Sequence, residues 1–537
     1  MKRPRGLIAA FAAFAILGSN VPFASAKAVN TDTLHIYIPG TFNGCTSTSE
    51  TSTAAFRSIM DLTRPSAFLP NSFGRLIGVR GPVVSAELTS LNPQTVVYTI
   101  DPSFLWSNGD SFSISDLTDL IAIGRESQAT WADGYHHIVS QTIGPKLKTL
   151  RVVFDNHYSE WAGMFRALEH KGLAAPCSHL QIVAQPSLGP YSLLSLSTKI
   201  AVLQANEAWP HYEQLYRTVI VEAGAAADEI GATPFVDLRY SFTSEDLTAS
   251  SSHTDRLGKI GISNHLTTIL YSPRRYLPSQ SAVREYLSAA LNRQTLINEL
   301  VGEQTFSVAT ANSNVIGQSQ IGYSGTSGLS PVTQMTMPDN SGGVFTATGD
   351  CGSCAASMLG TGRGLRRLSD VTTFNGTPLV VRLAVGPSPR MQQLATLVQA
   401  QWRVAGVGVF VARYRTDLAA SNAVAYGASD AALVEQTVGP VASSAASWYG
   451  PRRSDQLDAG WRTESGNAAG IAALSTFNPV DGLHSWKLLD DEISRNFWAR
   501  PLFSLPYYLR WSSSISTVLP SSSMDGLICQ VTLWNAP

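Results

Sequence analysis

The stretch that most constrains this sequence runs from residue 379 to residue 411. Residues 379–385 are an apolar run of strand length. Residues 390–404 then place Leu394, Leu397, Val398 and Trp402 on one helical face. Residues 406–411 turn apolar again, after a glycine. A strand–helix–strand run is a βαβ unit, which points to a mixed α/β architecture. Other segments fit that class. Strands are expected at 34–38, 96–100, 150–154, 199–203, 218–222 and 267–271. A helix opens near Ser115, with Ser115 as N-cap and Asp116 beside the positive end of the dipole. A second helix is expected over 281–300, with Val283, Tyr286, Leu287, Ala290, Leu291 and Ile297 on one side. Residues 307–349, rich in Ser, Thr, Gly and Asn, read as long loops.

The first residues read as a targeting segment. Lys2, Arg3 and Arg5 precede an apolar stretch at 6–18, and Ala24-Ser25-Ala26, or alternatively Ala26-Lys27-Ala28, is a small-residue cleavage site. A membrane anchor would need roughly 20 apolar residues. The expected product is therefore exported, periplasmic or secreted, and lacks a lipid-anchor cysteine at the cleavage site. The chain of 537 residues carries 38 Lys and Arg against 39 Asp and Glu. Loss of Lys2, Arg3 and Arg5 leaves −4, and loss of Lys27 as well leaves −5. No basic excess directs it to nucleic acid. There are five cysteines: Cys45, Cys177, Cys351, Cys354 and Cys529. Cys351 and Cys354 are expected to form a local disulfide, since a zinc site would need a second pair or nearby histidines. The pairing of the other three stays open.

Several segments then occur in a particular order. Residues 96–100 are followed by Leu105-Trp106-Ser107-Asn108-Gly109-Asp110 and the Ser115 helix. Leu188-Gly189-Pro190-Tyr191 precedes Ala205-Asn206-Glu207-Ala208-Trp209. Ile269-Leu270-Tyr271-Ser272 precedes Val283-Arg284-Glu285-Tyr286-Leu287, with Asn292-Arg293 and Gly302 beyond. The run from Arg390 to Val411, then Ser429-Asp430-Ala431-Ala432-Leu433, then the run from Pro501 to Leu519 complete the series. This order resembles the family 5 extracellular solute-binding proteins, the oligopeptide-, dipeptide- and nickel-binding components of ABC importers.

The resemblance implies a periplasmic-binding-protein-like α/β fold: two mixed α/β lobes, a two-strand hinge, and an extra domain on the first lobe. The targeting segment read above is taken as a signal peptide at 1–28. Lobe I would comprise 29–60, 181–268 and 486–537, the extra domain 61–180, and lobe II 269–485. A small solute, peptide or other, would be captured between the lobes by hinge closure. ABC permease and ATPase subunits would be the partners of a monomer that needs no cofactor, metal or catalytic group. Ligand contacts are expected from Tyr271, Gln436, Trp448 and Tyr449. Gln436 stands where the family's Trp would be, and Gly439 where its amine-binding Asp would be, so an α-ammonium would lack its carboxylate partner. Glu435 alternates to the opposite face from Gln436. Arg390 matches the family's arginine before the helix, in a structural hydrogen-bonding role. Two alternatives stay open: a secreted hydrolase, for which no Gly-x-Ser-x-Gly or His-Glu-x-x-His is present, and a binding-protein fold reused as a sensor.

Overall fold

The computed structural model describes residues 33–46, 52–70, 76–78, 81–126, 133–144, 147–165, 167–170, 177–210, 212–224, 234–239, 256–301, 308–320, 322–323, 336–338, 344–346, 365–368, 371–438, 461, 463–476, 479–515 and 518. The first half of the chain supplies β1 (Thr33–Ile38), α1 (Ala54–Thr63), β2 (Val83–Leu91), β3 (Gln94–Ile100), α2 (Ile114–Glu126), β4 (Ile138–Ile143), β5 (Thr149–Phe154), α3 (His179–Val183), β6 (Tyr191–Leu196), β7 (Ile200–Ala205), β8 (Thr218–Ala223) and β9 (Phe235–Arg239). The second half supplies β10 (Arg256–Tyr271), α4 (Ser281–Ala289), α5 (Arg293–Val301), β11 (Val380–Val385), α6 (Pro389–Val404), β12 (Gly408–Arg413), α7 (Asp417–Ala425), β13 (Ala431–Thr437), α8 (Glu464–Ser475), α9 (Pro479–Arg495) and β14 (Ala499–Ser512).

The βαβ unit forms where its pattern placed it. β11 and β12 are parallel, with Val380 beside Gly408, and α6 enters with Pro389 in its first turn, where the missing N–H costs nothing. Two expectations about helices are corrected. The first helix starts at Ile114, so Ser115 is inside it; Asp116 instead accepts hydrogen bonds from the N–H and the hydroxyl of Ser113, at 2.8 and 2.9 Å. The helix expected over 281–300 is two helices. Asn292 breaks it, because its side-chain oxygen accepts the Thr295 N–H at 2.9 Å and so caps α5.

Ten strands join in one sheet, in the order β12-β11-β13-β10-β14-β9-β1-β8-β7-β6. One end packs on α4, α5 and α6 through Val381, Leu383, Leu287, Leu394, Val398 and Trp402. The other end packs on α1 through Leu34, Ile36, Val219, Phe56, Ile59 and Leu62. Each such side chain, fully buried, contributes about 1.5–3 kcal/mol before entropy is counted. A separate antiparallel sheet, β2-β3-β5-β4, carries α2 and the turn at Trp106. Cys45 and Cys177 form a disulfide, with Cα atoms 5.7 Å apart. Cys351 and Cys354 lie outside the described residues.

Candidate functional site

Two long strands, β10 and β14, are the only ones that serve both ends of the ten-stranded sheet among the described residues. They pair with each other antiparallel from Arg256–Ser512 to Leu270–Ala499. β14 also pairs with β9 at Tyr508–Trp511, and β10 also pairs with β13 at His265–Tyr271. Between these zones the register shifts. Ile262 lies opposite Pro506 and Leu266 opposite Ser504, so Ser263, Asn264 and His265 face the single residue Leu505. Such a bulge bends the strand and interrupts the ladder.

Strand directions converge on this crossing. β1, β8 and β9 are mutually parallel, and β9 runs antiparallel to β14, so their carboxyl ends point toward it. β11 and β13 are parallel, and β13 runs antiparallel to β10, so their carboxyl ends point toward it from the other side. Ligands of open α/β sheets bind outside the carboxyl ends of strands.

The two faces of the sheet differ at the crossing. One face continues the apolar cores through Ile269, Phe503, Leu505 and Leu509. The other carries Thr268, Gln436 and Ser504 beside the crossing and, further along the same face toward β1, Tyr508, Arg510, Asp237 and Tyr37, each at most 5% exposed. The ladders fix this grouping: Tyr37 pairs with Asp237, Asp237 with Arg510, and Gln436 with Leu266. Asp237 and Arg510 form an ion pair at 2.5 Å, with both side chains 1% exposed. Tyr37 lies between Asp237 and Glu222, and its phenol is pushed up to about 12, by burial first and then by those two carboxylates. The hydroxyls of Tyr37, Tyr508, Thr268 and Ser504 and the side-chain oxygen of Asn264 have no hydrogen-bond partner among the described residues. A buried polar group left in this state costs about 1–3 kcal/mol. Unsatisfied groups are rare in native structures, and here Thr268, Ser504 and Asn264 stand beside the crossing, with Tyr508 and Tyr37 further along the same face.

Residues 308–320 close the free edge of β14. The Ala311 N–H donates to Leu502 O at 2.9 Å, and the side-chain oxygen of Gln318 accepts the Ser504 N–H at 3.2 Å. Gln320 donates to Val438 O at 3.4 Å. At the carboxyl ends of β11 and β13, Arg390 pairs with Glu435. Arg390 thus holds a structural contact, and Glu435 is engaged with it. Asp417, at the start of α7, has its carboxyl pushed up by desolvation and by Glu435, against the pull of Arg390.

The expected ligand residues separate. Gln436 stands at the crossing and is buried. Tyr271 pairs with Ala431, five residues further along β10, which is about 16 Å away at the strand rise. It is wholly buried in a core, its hydroxyl 3.1 Å from Ser288 Oγ and its carbonyl accepting from Trp461 Nε1 at 2.5 Å. It therefore does not border the crossing. Trp448 and Tyr449 lie outside the described residues. Sequence reasoning missed Tyr37, Asp237, Thr268, Ser504, Tyr508 and Arg510. Among the described residues no three His, Cys, Asp or Glu gather to hold a metal, and no helix is long and apolar enough to cross a membrane.

No family model matches the chain. Comparison with solved structures gives the periplasmic EDTA-binding protein EppA at a TM-score of 0.76, 18% identity, and 94% and 96% of the two chains covered. NikZ from Campylobacter jejuni, in complex with Ni(L-His), follows at 0.73, 15% identity, and 95% and 100% covered. The oligopeptide-binding protein AppA from Bacillus subtilis, bound to a nonapeptide, superposes at 0.70, 11% identity, and 94% and 99% covered. The fold is that of the periplasmic binding proteins. Over almost the whole chain it is the fold of the family 5 solute-binding proteins that these structures represent. In sequence, the chain is 30% identical to the oligopeptide-binding protein OppA of Mycobacterium tuberculosis over 172 residues. That match spans 29% of this chain and 29% of the relative.

Proposed function

We propose that this chain is the exported substrate-binding component of an ABC-type importer, capturing a small polar solute between two lobes by hinge closure. The observation that carries this is the crossing itself. Among the described residues only β10 and β14 connect the two ends of the sheet, and unsatisfied polar groups are buried beside their crossing. A solute touching both ends stabilises the closed form by its differential contacts. The lobe division is taken from the sequence expectation: 29–60, 181–268 and 486–537 for lobe I with 61–180 as its extra domain, and 269–485 for lobe II. The basic and apolar N-terminal segment supports a cleaved signal and a periplasmic or secreted location. The partners are an ABC permease and ATPase, the protein acts as a monomer, and no bond is broken. The neighbours with this fold bind peptide, nickel–histidine and EDTA by their own descriptions, and so support solute capture in general terms.

The test is a thermal-melting screen of the mature protein over neutral and charged peptides, oligosaccharides, nickel–histidine and iron–EDTA. One class should raise the midpoint, by about 2.7 kcal/mol of stability at a hundredfold excess over Kd. The same solute should shrink the radius of gyration in solution scattering. A flat response to every class, alongside turnover of a hydrolase substrate, would sink the reading.

A further inference from the structure

We propose that the turn Ser159–Gly163 is a latch, which holds the two ends of the ten-stranded sheet together by a route separate from β10 and β14. What the latch means for solute capture rests on the binding-protein reading; the contact itself does not.

The latch joins two bodies fastened to opposite ends of the sheet. On one side, the β2-β3-β5-β4 sheet and its loops are tied to the α1 end. The Ala67 N–H donates to Phe165 O and the Leu168 N–H to Pro65 O, both at 3.1 Å, and the Ser107 N–H donates to Ser187 O at 2.7 Å. Ser187 Oγ donates in turn to Thr63 O, the last residue of α1, at 2.8 Å. On the other side, α8 and α9 are tied to the β13 end. The Tyr271 N–H donates to Trp498 O, just beyond α9, at 3.2 Å, and Asp490 in α9 accepts the Asn314 N–H at 2.8 Å. Thr463, which caps α8, donates to Glu492 in α9 at 2.9 Å.

The turn is mounted firmly on the first body. Gln94 of β3 donates to Tyr158 O at 2.8 Å and accepts the Tyr158 N–H at 2.5 Å, and the Tyr98 hydroxyl donates to Trp161 O at 2.8 Å. It meets the second body at the carboxyl end of α8. There the Ser159 hydroxyl donates to Ala473 O at 3.0 Å, across 314 positions of sequence. Ala473 lies in the last turn of α8, whose carbonyls lack partners within the helix, so the hydroxyl supplies one. The turn also touches α9. Ser159 and Glu160 are each 6% exposed and Ala473 0%, so the contact is closed to water. One apolar core runs from Tyr98 and Phe165 through to Ala473, Leu474 and Trp486. Two ends joined only by β10 and β14 could turn about that crossing. A second junction through other residues closes a ring, so the ends cannot part without breaking it. Once they part, water takes up the hydroxyl and the carbonyl, so the bond gives a modest preference for the closed arrangement rather than a permanent tie.

Solution scattering and hydrogen exchange on the unliganded mature protein test this, with Ser159→Glu, Ser159→Ala and Ser159→Thr. Ser159→Glu sets a carboxylate against the negative end of the α8 dipole and should part the contact. Its radius of gyration should rise, and the amides of 158–164 and 473–476 should exchange faster together, by roughly tenfold or more. Ser159→Ala should speed the same amides by roughly two- to tenfold, while Ser159→Thr, which keeps the hydroxyl, should match the parent chain. Native circular dichroism and unchanged protection of β5 show that each variant folds. An unchanged radius and exchange pattern in Ser159→Glu overturns the latch, while the binding reading, judged by the melting screen, stands. Faster exchange confined to 158–164 at an unchanged radius also overturns it, because a local structural role predicts that. A wider Ser159→Glu chain together with a flat melting screen keeps the latch and removes the binding reading instead.

Discussion

Tyr37 and Tyr271 are both fully buried phenols, yet their surroundings differ. Tyr37 lies between two carboxylates, whereas Tyr271 bonds to Ser288 inside a core. Both are pushed up to about 12, by burial first. Each keeps its proton in the folded chain where the unfolded chain, with its ordinary value of 10.0, begins to lose it. The folded state then binds more protons than the unfolded one. The contribution to stability is therefore whole below pH 10 and declines as pH rises toward 12. Urea unfolding across that interval should show the decline, and Tyr37→Phe should flatten it. In Glu222→Gln the Tyr37 phenol should titrate lower, as read by ultraviolet difference spectra; no movement would place Glu222 too far away to act. At this scale the sequence was only partly legible. The alternation in 34–38 separates His35 and Tyr37 from Leu34, Ile36 and Ile38, but nothing local says that their face meets the crossing. Gln436, expected from the resemblance, lies beside the crossing, and Tyr271 lies in a core at the far end of the same strand.

The distance between Tyr271 and the crossing belongs to the elements. Only 267–271 of β10 reads as a strand, because Gly258, Gly261, Ser263 and Asn264 interrupt the alternation of its first part. β14 hides in the same way, since Pro501 and Pro506 argue against a central strand. Both prolines sit beside register shifts, where the ladder is already interrupted. By contrast, the βαβ unit was plain, because apolar spacing and a proline start agree over its length. Gly261 shows how tight the crossing is: a Cβ there would press into the ring of Tyr507. Gly261→Val should destabilise the fold and alter solute affinity together, whereas Gly261→Ser with full affinity would show that the ring has room to turn. On the helical side, Asn292→Ala removes the α5 cap. It should lower stability by about 1 kcal/mol in urea unfolding, with no effect on solute binding.

At the scale of the molecule, the Cys45–Cys177 disulfide joins the loop after β1 to the start of α3. The 132-residue separation encloses α1 and the whole β2-β3-β5-β4 sheet, so the bond closes the neck of that unit. A loop of this size gives about 4–5 kcal/mol in the chain-entropy account. Reduction, or Cys45→Ser with Cys177→Ser, should lower the melting midpoint by several degrees and expose the neck to limited proteolysis. An unchanged midpoint would mean that packing alone closes it. Cysteine spacing left this pairing open, because partners 132 residues apart are brought together only by the completed fold.

The position of β14 has a consequence for how the protein comes into being. It is the last described strand in the chain, yet it lies in the middle of the sheet and pairs with β10 and β9 together. A chain still emerging from the ribosome has every other described strand before it has this one. Neither end of the sheet can close around a central gap, so the nascent chain stays open until β14 has emerged. An unfinished chain of this kind is suited to being threaded through a membrane pore before it folds.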